Sequence, residues 1–209
     1  MQQIQKHLIE NILTELFNDA KKDYLKMANG FAKGIFSPIK PNDFKNVYLS
    51  ISKKQGKALK KLIIDHNLKN IVEFGTSFGI STLYLAQGVL KTGGAIVTTE
   101  LIESKAKKAQ ENFKNAGVQD LIDIKIGDAI ETLKGYDKNI DLLFLDGWKD
   151  LYLPLFQMLA PNFNNNTIIY VDNADMSKPK SFLKTIAKTN KYHFESNFDD
   201  KVVLITLKK

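Results

Sequence analysis

The sequence of 209 residues predicts an α/β protein with a doubly wound, mostly parallel sheet of seven strands, preceded by N-terminal helices. From residue 53 onward, apolar runs of strand length alternate with amphipathic segments of helix length, a pattern typical of repeated βα units. The strand-like runs are apolar almost throughout, as expected for strands covered on both faces. The last two runs have no helix-length segment between them, so we predict an antiparallel hairpin at the sheet edge.

The first part of the chain, residues 1–34, has helical periodicity. Its apolar residues fall on a single stripe: Ile4, Leu8, Ile9, Ile12, Leu13, Leu16 and Phe17. This stripe predicts packing on the helix's own domain, a lid over an active site or a dimer contact, and these alternatives remain open. A loop is predicted next by four helix-breaking residues, Gly30, Gly34, Pro38 and Pro41. We expect one domain, in which residues 1–45 form a helical cap or dimerisation segment and residues 46–209 form a Rossmann-like core.

The alternating segments give the order of the core elements. Helices are predicted at residues 53–66, 77–90, 104–116, 128–133, 152–159 and 180–188. Strands are predicted at residues 70–74, 95–99, 122–126, 141–145, 167–171, 192–195 and 202–207.

Composition limits the function classes. The chain contains no cysteine, which excludes disulfides, thiolate zinc sites and cysteine nucleophiles. The formal net charge is +7, yet all 30 basic residues are lysine, and the absence of arginine disfavours a dedicated nucleic-acid binder. The first twenty residues carry several charges and no long uncharged run follows them, so we expect a soluble cytoplasmic protein without a membrane segment.

Two apolar runs end in carboxylate residues. LFLDGWKDLYLP (Leu143–Pro154) places Asp146 three residues before Lys149, and TIIYVDNAD (Thr167–Asp175) contains the pair Asp172–Asn173. The carboxyl ends of parallel strands meet at one edge of the sheet, where such folds bind ligands. Two acids and an amide at that edge form an oxygen cage suited to Mg²⁺ or another hard divalent cation, with a lysine nearby.

The segment VEFGTSFGIST (Val72–Thr82) predicts a strand that enters a helix through a glycine turn. Its G-x-x-x-G spacing differs from the dinucleotide fingerprint, so an ordinary tight turn remains an alternative.

Three acids point to an adenosine ligand for this turn. Glu73 lies near the end of the first strand, and Glu100 ends the second strand, where an acid commonly binds ribose hydroxyls. Asp128 follows the third strand and is suited either to an adenine amino group or to capping the next helix. Acids at these positions disfavour a pyrophosphate and suit a sulfonium cofactor.

These motifs resemble one enzyme family. ISKKQGK (Ile51–Lys57), VEFGTSFGIST, LDGWKDLYLP and VDNAD are similar to segments of the class I S-adenosylmethionine-dependent O-methyltransferases, in the cation-dependent group that includes catechol O-methyltransferase. The resemblance covers residues 48 to about 180. It implies that Mg²⁺ is bound by Asp146, Asp172 and Asn173 and that Lys149 is the general base.

The resemblance also implies a set of residues around S-adenosylmethionine. They are Glu73, Gly75, Thr76, Ser77, Ser81, Glu100, Asp128, Ala129 and Asp146. The chain departs from catechol O-methyltransferase at Gly147, where that enzyme has a histidine near the adenine. Glu195, Asp199 and Asp200 are the candidates for a further acid that contacts the second substrate hydroxyl. Trp148 is either a core residue or a wall of the substrate site.

The expected function is therefore cation-assisted methyl transfer to a hydroxyl of a small hydroxylated aromatic acceptor. A vicinal diol of the catechol type is favoured because two adjacent hydroxyls chelate a cation best. One alternative is a methyltransferase of the same fold that acts on a hydroxylated tRNA uridine. Another is a cofactor-binding module without catalysis, although all three predicted metal-ligand types are present. A homodimer is a further expectation.

Overall fold

The computed structural model describes residues 2–22, Asp43, Val47 and 50–208. The helices in this part of the chain are α1 Gln2–Lys22, α2 Lys53–Asp65, α3 Ile80–Thr92, α4 Glu103–Asn115, α5 Ala129–Thr132, α6 Tyr152–Leu159 and α7 Ser177–Ala187. The strands are β1 Asn70–Phe74, β2 Ala95–Glu100, β3 Ile122–Ile126, β4 Ile140–Leu145, β5 Phe163–Asp172, β6 Tyr192–Asn197 and β7 Val202–Leu207. The helix predicted beyond Lys22 and the loop predicted around Gly30 to Pro41 lie outside the described residues.

The strands form one sheet in the order β3-β2-β1-β4-β5-β7-β6. The pairs from β3 to β5 are parallel, whereas β7 is antiparallel to both β5 and β6. This arrangement confirms the predicted mostly parallel, doubly wound sheet and its antiparallel hairpin at the edge. The strand order reverses between β1 and β4, which is the point where open sheets of this kind bind ligands.

The start of α3 differs from the prediction. A helix was expected from Ser77, but α3 begins at Ile80 because Ser77 and Gly79 have left-handed backbone conformations, with φ of +50° and +90°. These residues form a turn between β1 and α3 instead. The strand predicted from Thr167 also begins earlier, since Phe163 pairs with Ile140 across an irregularity in the β4–β5 ladder.

The sheet is covered by a hydrophobic core on each face. The first core contains buried residues of α1, α2, α3 and α4, such as Leu59 and Leu83. The second contains residues of α5, α6 and α7, such as Leu155 and Phe182. Strand residues alternate between the two cores, which is why the central strands read as continuous apolar runs.

Helix α1 packs on its own domain. Its residues Ile9, Leu13 and Leu16 are buried in the first core, and Gln5 Nε2 donates a 3.0 Å hydrogen bond to the Gly117 carbonyl. Ile4, at the start of the predicted stripe, is 66% exposed. The structure therefore supports the first of the three alternatives for this stripe, and a dimer contact stays a prediction. None of the helices described here is long and apolar enough to cross a membrane.

Candidate active site

The turn after β1 lies directly against the chain that follows β4. Gly75 has a φ of +107°, and a Cβ at this position would lie 2.8 Å from the Asp146 carbonyl carbon and from the backbone nitrogen of Gly147. The Gly75 and Thr76 amides both donate to the Thr99 carbonyl, which fastens the turn to the end of β2. Glycine therefore lets the predicted cofactor turn and the predicted metal loop approach each other closely.

Glu73 is fully buried beneath this turn. Its carboxylate accepts hydrogen bonds from the hydroxyls of Ser81, Thr82 and Thr98. Burial raises the pKa of Glu73 to about 7, although the three hydroxyl donors oppose the shift. The Thr98 hydroxyl also lies 2.6 Å from the Thr76 hydroxyl. Glu73 thus ties β1, β2 and the first turn of α3 together, and its contact with a cofactor stays a prediction.

Glu100 lies at the end of β2 and faces the same turn. It accepts hydrogen bonds of 2.8 Å from the backbone amides of Ser77 and Ile102. Burial raises the pKa of Glu100, and the nearby ammonium of Lys105 opposes that effect. The Leu101 backbone also hydrogen-bonds to this carboxylate. Glu100 therefore presents a hydrogen-bond acceptor at the end of β2, the position where an acid commonly binds ribose hydroxyls.

Lys105 was not among the predicted site residues. It is only 4% exposed, and its Nζ donates a 3.1 Å hydrogen bond to the Val47 carbonyl and lies 5.2 Å from the centre of the Phe78 ring. Lysine is rarely buried without a partner, and the hydrogen bond to Val47 links α4 to the chain that precedes α2.

Asp128 is the N-cap of α5 and accepts a 2.8 Å hydrogen bond from the Ile130 amide. The side chain is exposed, whereas Ala129 is buried. The Gly127 amide donates to the Glu100 carbonyl, which brings the end of β3 beside the end of β2. The helix-cap alternative is thus observed, and one carboxylate oxygen remains available for a ligand.

The predicted metal ligands Asp146 and Asp172 meet at the ends of β4 and β5. Their side chains are in hydrogen-bonding contact. Burial, followed by the charge of Asp146, raises the pKa of Asp172 to about 8, and burial also raises the pKa of Asp146. Two carboxylates in contact share a proton when no cation is present, because their charges repel each other.

Lys149 is next to this pair. Its Nζ lies 3.3 Å from Asp146 Oδ1 and 3.4 Å from the Asp146 carbonyl oxygen. The two side chains are 20% and 14% exposed, so the ion pair is shielded without being sealed from solvent. The ammonium also lies 5.4 Å from the centre of the Tyr152 ring. The structure therefore brings the predicted base Lys149 and two of the three predicted metal ligands, Asp146 and Asp172, into one cluster.

Asn173 follows Asp172 in a left-handed conformation with a φ of +53°. This turn is fastened to the β6–β7 connection, because the Ala174 amide donates to the Lys201 carbonyl. Within the described residues, no group of three or more His, Cys, Asp or Glu side chains could hold a metal ion. A cation site here therefore depends on Asn173 as the third side-chain ligand.

Gln55 was missed in the sequence. Its Nε2 donates a 2.8 Å hydrogen bond to Asp172 Oδ1, and its Oε1 accepts from the backbone amide and the hydroxyl of Ser52. The S-x-x-Q capping pattern at the start of α2 is visible in the sequence. The contact with Asp172 has no local signal, because the two residues are far apart along the chain.

Two tyrosines close to the carboxylates differ in their hydrogen bonding. The Tyr152 hydroxyl donates to the Asp172 carbonyl at 3.3 Å. The Tyr170 hydroxyl is buried and has no hydrogen-bond partner in the described part of the chain. The carboxylates of Asp172 and Asp146 lie close enough to raise the pKa of Tyr170 further than burial alone.

The remaining candidates lie around this cluster. Trp148 is partly buried against the second core, as expected of a core residue. Glu195 accepts a hydrogen bond from Asn197 Nδ2, and Asp200 accepts one from the Ser196 hydroxyl. Together with Asp199, these acids are exposed on β6 and the turn after it, and their contact with a substrate stays a prediction.

Residues 41–179 match the family described as O-methyltransferase. Among curated proteins, the catechol O-methyltransferase of Niastella koreensis is 33% identical over 129 residues, which cover 60% of this chain and 58% of that protein. The catechol O-methyltransferase of Bos taurus is 27% identical over 171 residues, covering 77% of this chain and 62% of that protein. The chain thus spans less than two thirds of the length of these curated relatives.

Solved structures show the same architecture. The O-methyltransferase from Bacillus cereus in complex with SAH superposes with a TM-score of 0.67 at 25% identity, over 76% of this chain and 83% of that one. The SAH-bound methyltransferase PaMTH1 of Podospora anserina gives a TM-score of 0.70 at 25% identity, over 81% of this chain and 83% of that one.

Proposed function

Because the chain belongs to the O-methyltransferase family, we propose that it transfers the methyl group of S-adenosylmethionine to a hydroxyl of a small acceptor. The SAH bound in two similar structures supports the cofactor, and the names of the curated relatives support an acceptor of the catechol type. The observation that carries the proposal is the cluster of Lys149, Asp146 and Asp172 beside the glycine turn.

The residues of the cluster fit a divalent cation. Asp146, Asp172 and Asn173 offer only oxygen ligands, which suits Mg²⁺. The contact between the two carboxylates is unfavourable when both are ionised, and a cation would remove that repulsion. When bound, a divalent cation would lower the pKa of the acceptor hydroxyl and orient it. A vicinal diol would provide two such oxygens.

Lys149 is the proposed proton acceptor. Its Nζ is held beside Asp146 Oδ1, so an ammonium formed by taking the acceptor's proton would be stabilised where it arises. The 20% exposure of its side chain leaves a route by which the proton can return to solvent.

The cofactor would lie across the turn after β1 and the end of β2. We propose that Glu100 accepts the ribose hydroxyls and that Asp128 and Ala129 border the adenine. Glu73 and Ser81 would support the methionine end of S-adenosylmethionine. The turn after β1 and the segment after β4 would border the same end with four further residues: Gly75, Thr76, Ser77 and Asp146. Holding donor and acceptor in line contributes roughly 7–11 kcal/mol to rate enhancement in reactions of this kind.

The test measures transfer of labelled methyl from S-adenosylmethionine to catechol, caffeate and undermodified tRNA, each with and without EDTA. We expect labelling of the small diols that EDTA abolishes and added Mg²⁺ restores. Asp146→Ala should lose this activity. Labelling of tRNA alone would show that the acceptor is tRNA and not a small diol. Labelling of the diols that neither EDTA nor Asp146→Ala reduces would refute the requirement for a divalent cation.

A further inference from the structure

The side-chain amide of Gln55 is hydrogen-bonded at both ends. Its Oε1 accepts from the Ser52 backbone amide at 2.9 Å and from the Ser52 hydroxyl at 2.8 Å. Its Nε2 donates to Asp172 Oδ1 at 2.8 Å. Because the oxygen is held by Ser52, the nitrogen must face Asp172, so the orientation of the amide is determined by its partners.

Capping alone does not explain this arrangement. A capping box needs only an acceptor at the third helical position, and glutamate supplies one as well as glutamine does. Glutamate would also be favoured by the helix dipole at the start of α2. A carboxylate at position 55, however, would face the carboxylate of Asp172 at hydrogen-bond distance. The uncharged Nε2 donor of glutamine is therefore needed for the contact with Asp172 and not for capping the helix.

We infer that Gln55 is a positioning residue for the cation site, an inference that rests on the proposed cation-assisted function. Its amide holds Oδ1 of Asp172 in one orientation. Oδ2, which is not bonded to Gln55, is then the oxygen of this carboxylate that a cation would bind. Being uncharged, the amide does not compete with the cation, as a lysine at this position would. Asp172 is only 4% exposed, so Gln55 takes the place of the water that would otherwise solvate this oxygen.

The contact also connects the site to the chain that enters α2. Ile51 is 3% exposed and anchored in the first core, and Ser52 follows it as the N-cap of the helix. The orientation of Asp172 therefore depends on a segment that is 117 residues away along the chain.

The test compares Gln55→Met with Leu62→Ala. Methionine preserves the size of the side chain and removes its polar ends, whereas Leu62 is partly buried in the first core and belongs to the same helix. Leu62→Ala therefore lowers the stability of α2 without touching Asp172. The dissociation constants of Mn²⁺, by electron paramagnetic resonance, and of S-adenosylmethionine, by calorimetry, are measured for each protein.

We expect Gln55→Met to weaken Mn²⁺ binding about tenfold, the lower end of the range for outer-shell ligand partners. Its S-adenosylmethionine affinity, and both affinities of Leu62→Ala, should stay within about twofold of the unmodified protein. Unchanged Mn²⁺ binding in Gln55→Met would overturn the inference, and so would an equal loss of both ligands. Asp172→Ala distinguishes a failure of the proposed cation site from a failure of the positioning role of Gln55. If the unmodified protein binds Mn²⁺ no better than this variant, the proposed cation site is refuted.

Discussion

The ring of Phe74 occupies the space into which a side chain at Gly147 would project. A Cβ on Gly147 would lie 2.5 Å from two atoms of that ring, which is 7% exposed and packs edge-on against Tyr152 at 6.3 Å between centres. The ring of Phe74, at the end of β1, therefore excludes a side chain at position 147 as the two segments are packed here.

This packing predicts that Gly147→Ala destabilises the protein. Because Phe74 is held by Tyr152, the added methyl should lower the free energy of unfolding by about 1–3 kcal/mol. Urea denaturation of the single variants and of Gly147→Ala with Phe74→Leu checks the cause. The double variant should lose less free energy of unfolding than the two single variants lose together. Strictly additive losses would show that the Phe74 ring does not obstruct a side chain at position 147.

Gly75→Ala should lower the free energy of unfolding more than Gly147→Ala does, because the atoms that its added methyl would meet belong to the backbone. The φ of +107° is unfavourable for alanine, and its Cβ would lie 2.8 Å from backbone atoms of Asp146 and Gly147. We expect a loss of about 2–4 kcal/mol in the free energy of unfolding and weaker S-adenosylmethionine binding by calorimetry. Gly135→Ala is the matched control, since Gly135 has a φ of +76° and no atom within 4 Å of an added Cβ. This control should lose only about 1–2 kcal/mol and bind the cofactor normally. Equal losses in both variants would argue against the close approach.

Glu73 should make stability fall as pH rises. Burial raises its pKa from an ordinary 4.5 to about 7, so between these values the unfolded chain releases a proton that the folded protein keeps. The free energy of unfolding therefore decreases from pH 4.5 to 7 and then levels off, by up to roughly 3 kcal/mol for this group. Glu73→Gln cannot titrate, and its stability relative to the unmodified protein should rise across this range in urea denaturation. A difference that does not vary with pH would mean that Glu73 has an ordinary pKa.

The two tyrosines beside Asp172 should respond in opposite ways to loss of the hydroxyl. Tyr152→Phe removes a hydrogen bond to a buried carbonyl and should cost about 1 kcal/mol. Tyr170→Phe removes a buried hydroxyl without a described partner and should be neutral or stabilising by up to about 1 kcal/mol. Thermal unfolding of both proteins at the same pH provides the comparison. A clear loss of stability in Tyr170→Phe would indicate a partner for its hydroxyl, such as an ordered water.

The sequence was sufficient to predict the sheet and the meeting of Asp146 with Asp172, for a physical reason. Strand and helix periods are local, and parallel strands bring their carboxyl ends to one edge, so acids at those ends must converge. The contact of Gln55 with Asp172 and the ring of Phe74 over Gly147 were not predictable. Both depend on how distant elements pack together, and neither leaves a spacing in the sequence.

Lys149→Met gives the sharpest test of the proposed chemistry. If Lys149 accepts the proton of the acceptor hydroxyl, its loss should lower kcat by about 100- to 10,000-fold, the usual contribution of a general base. Cofactor binding should change little, because Asp146 is the one proposed cofactor residue that Lys149 contacts in the described part of the chain, and the others lie in other loops. Lys178→Met is the matched control: this lysine pairs with Asp150 at 2.6 Å on an exposed surface and should be dispensable. If Lys149→Met keeps the rate of the control protein, the proton must leave by another route, and Lys149 would serve only to balance the charge of Asp146.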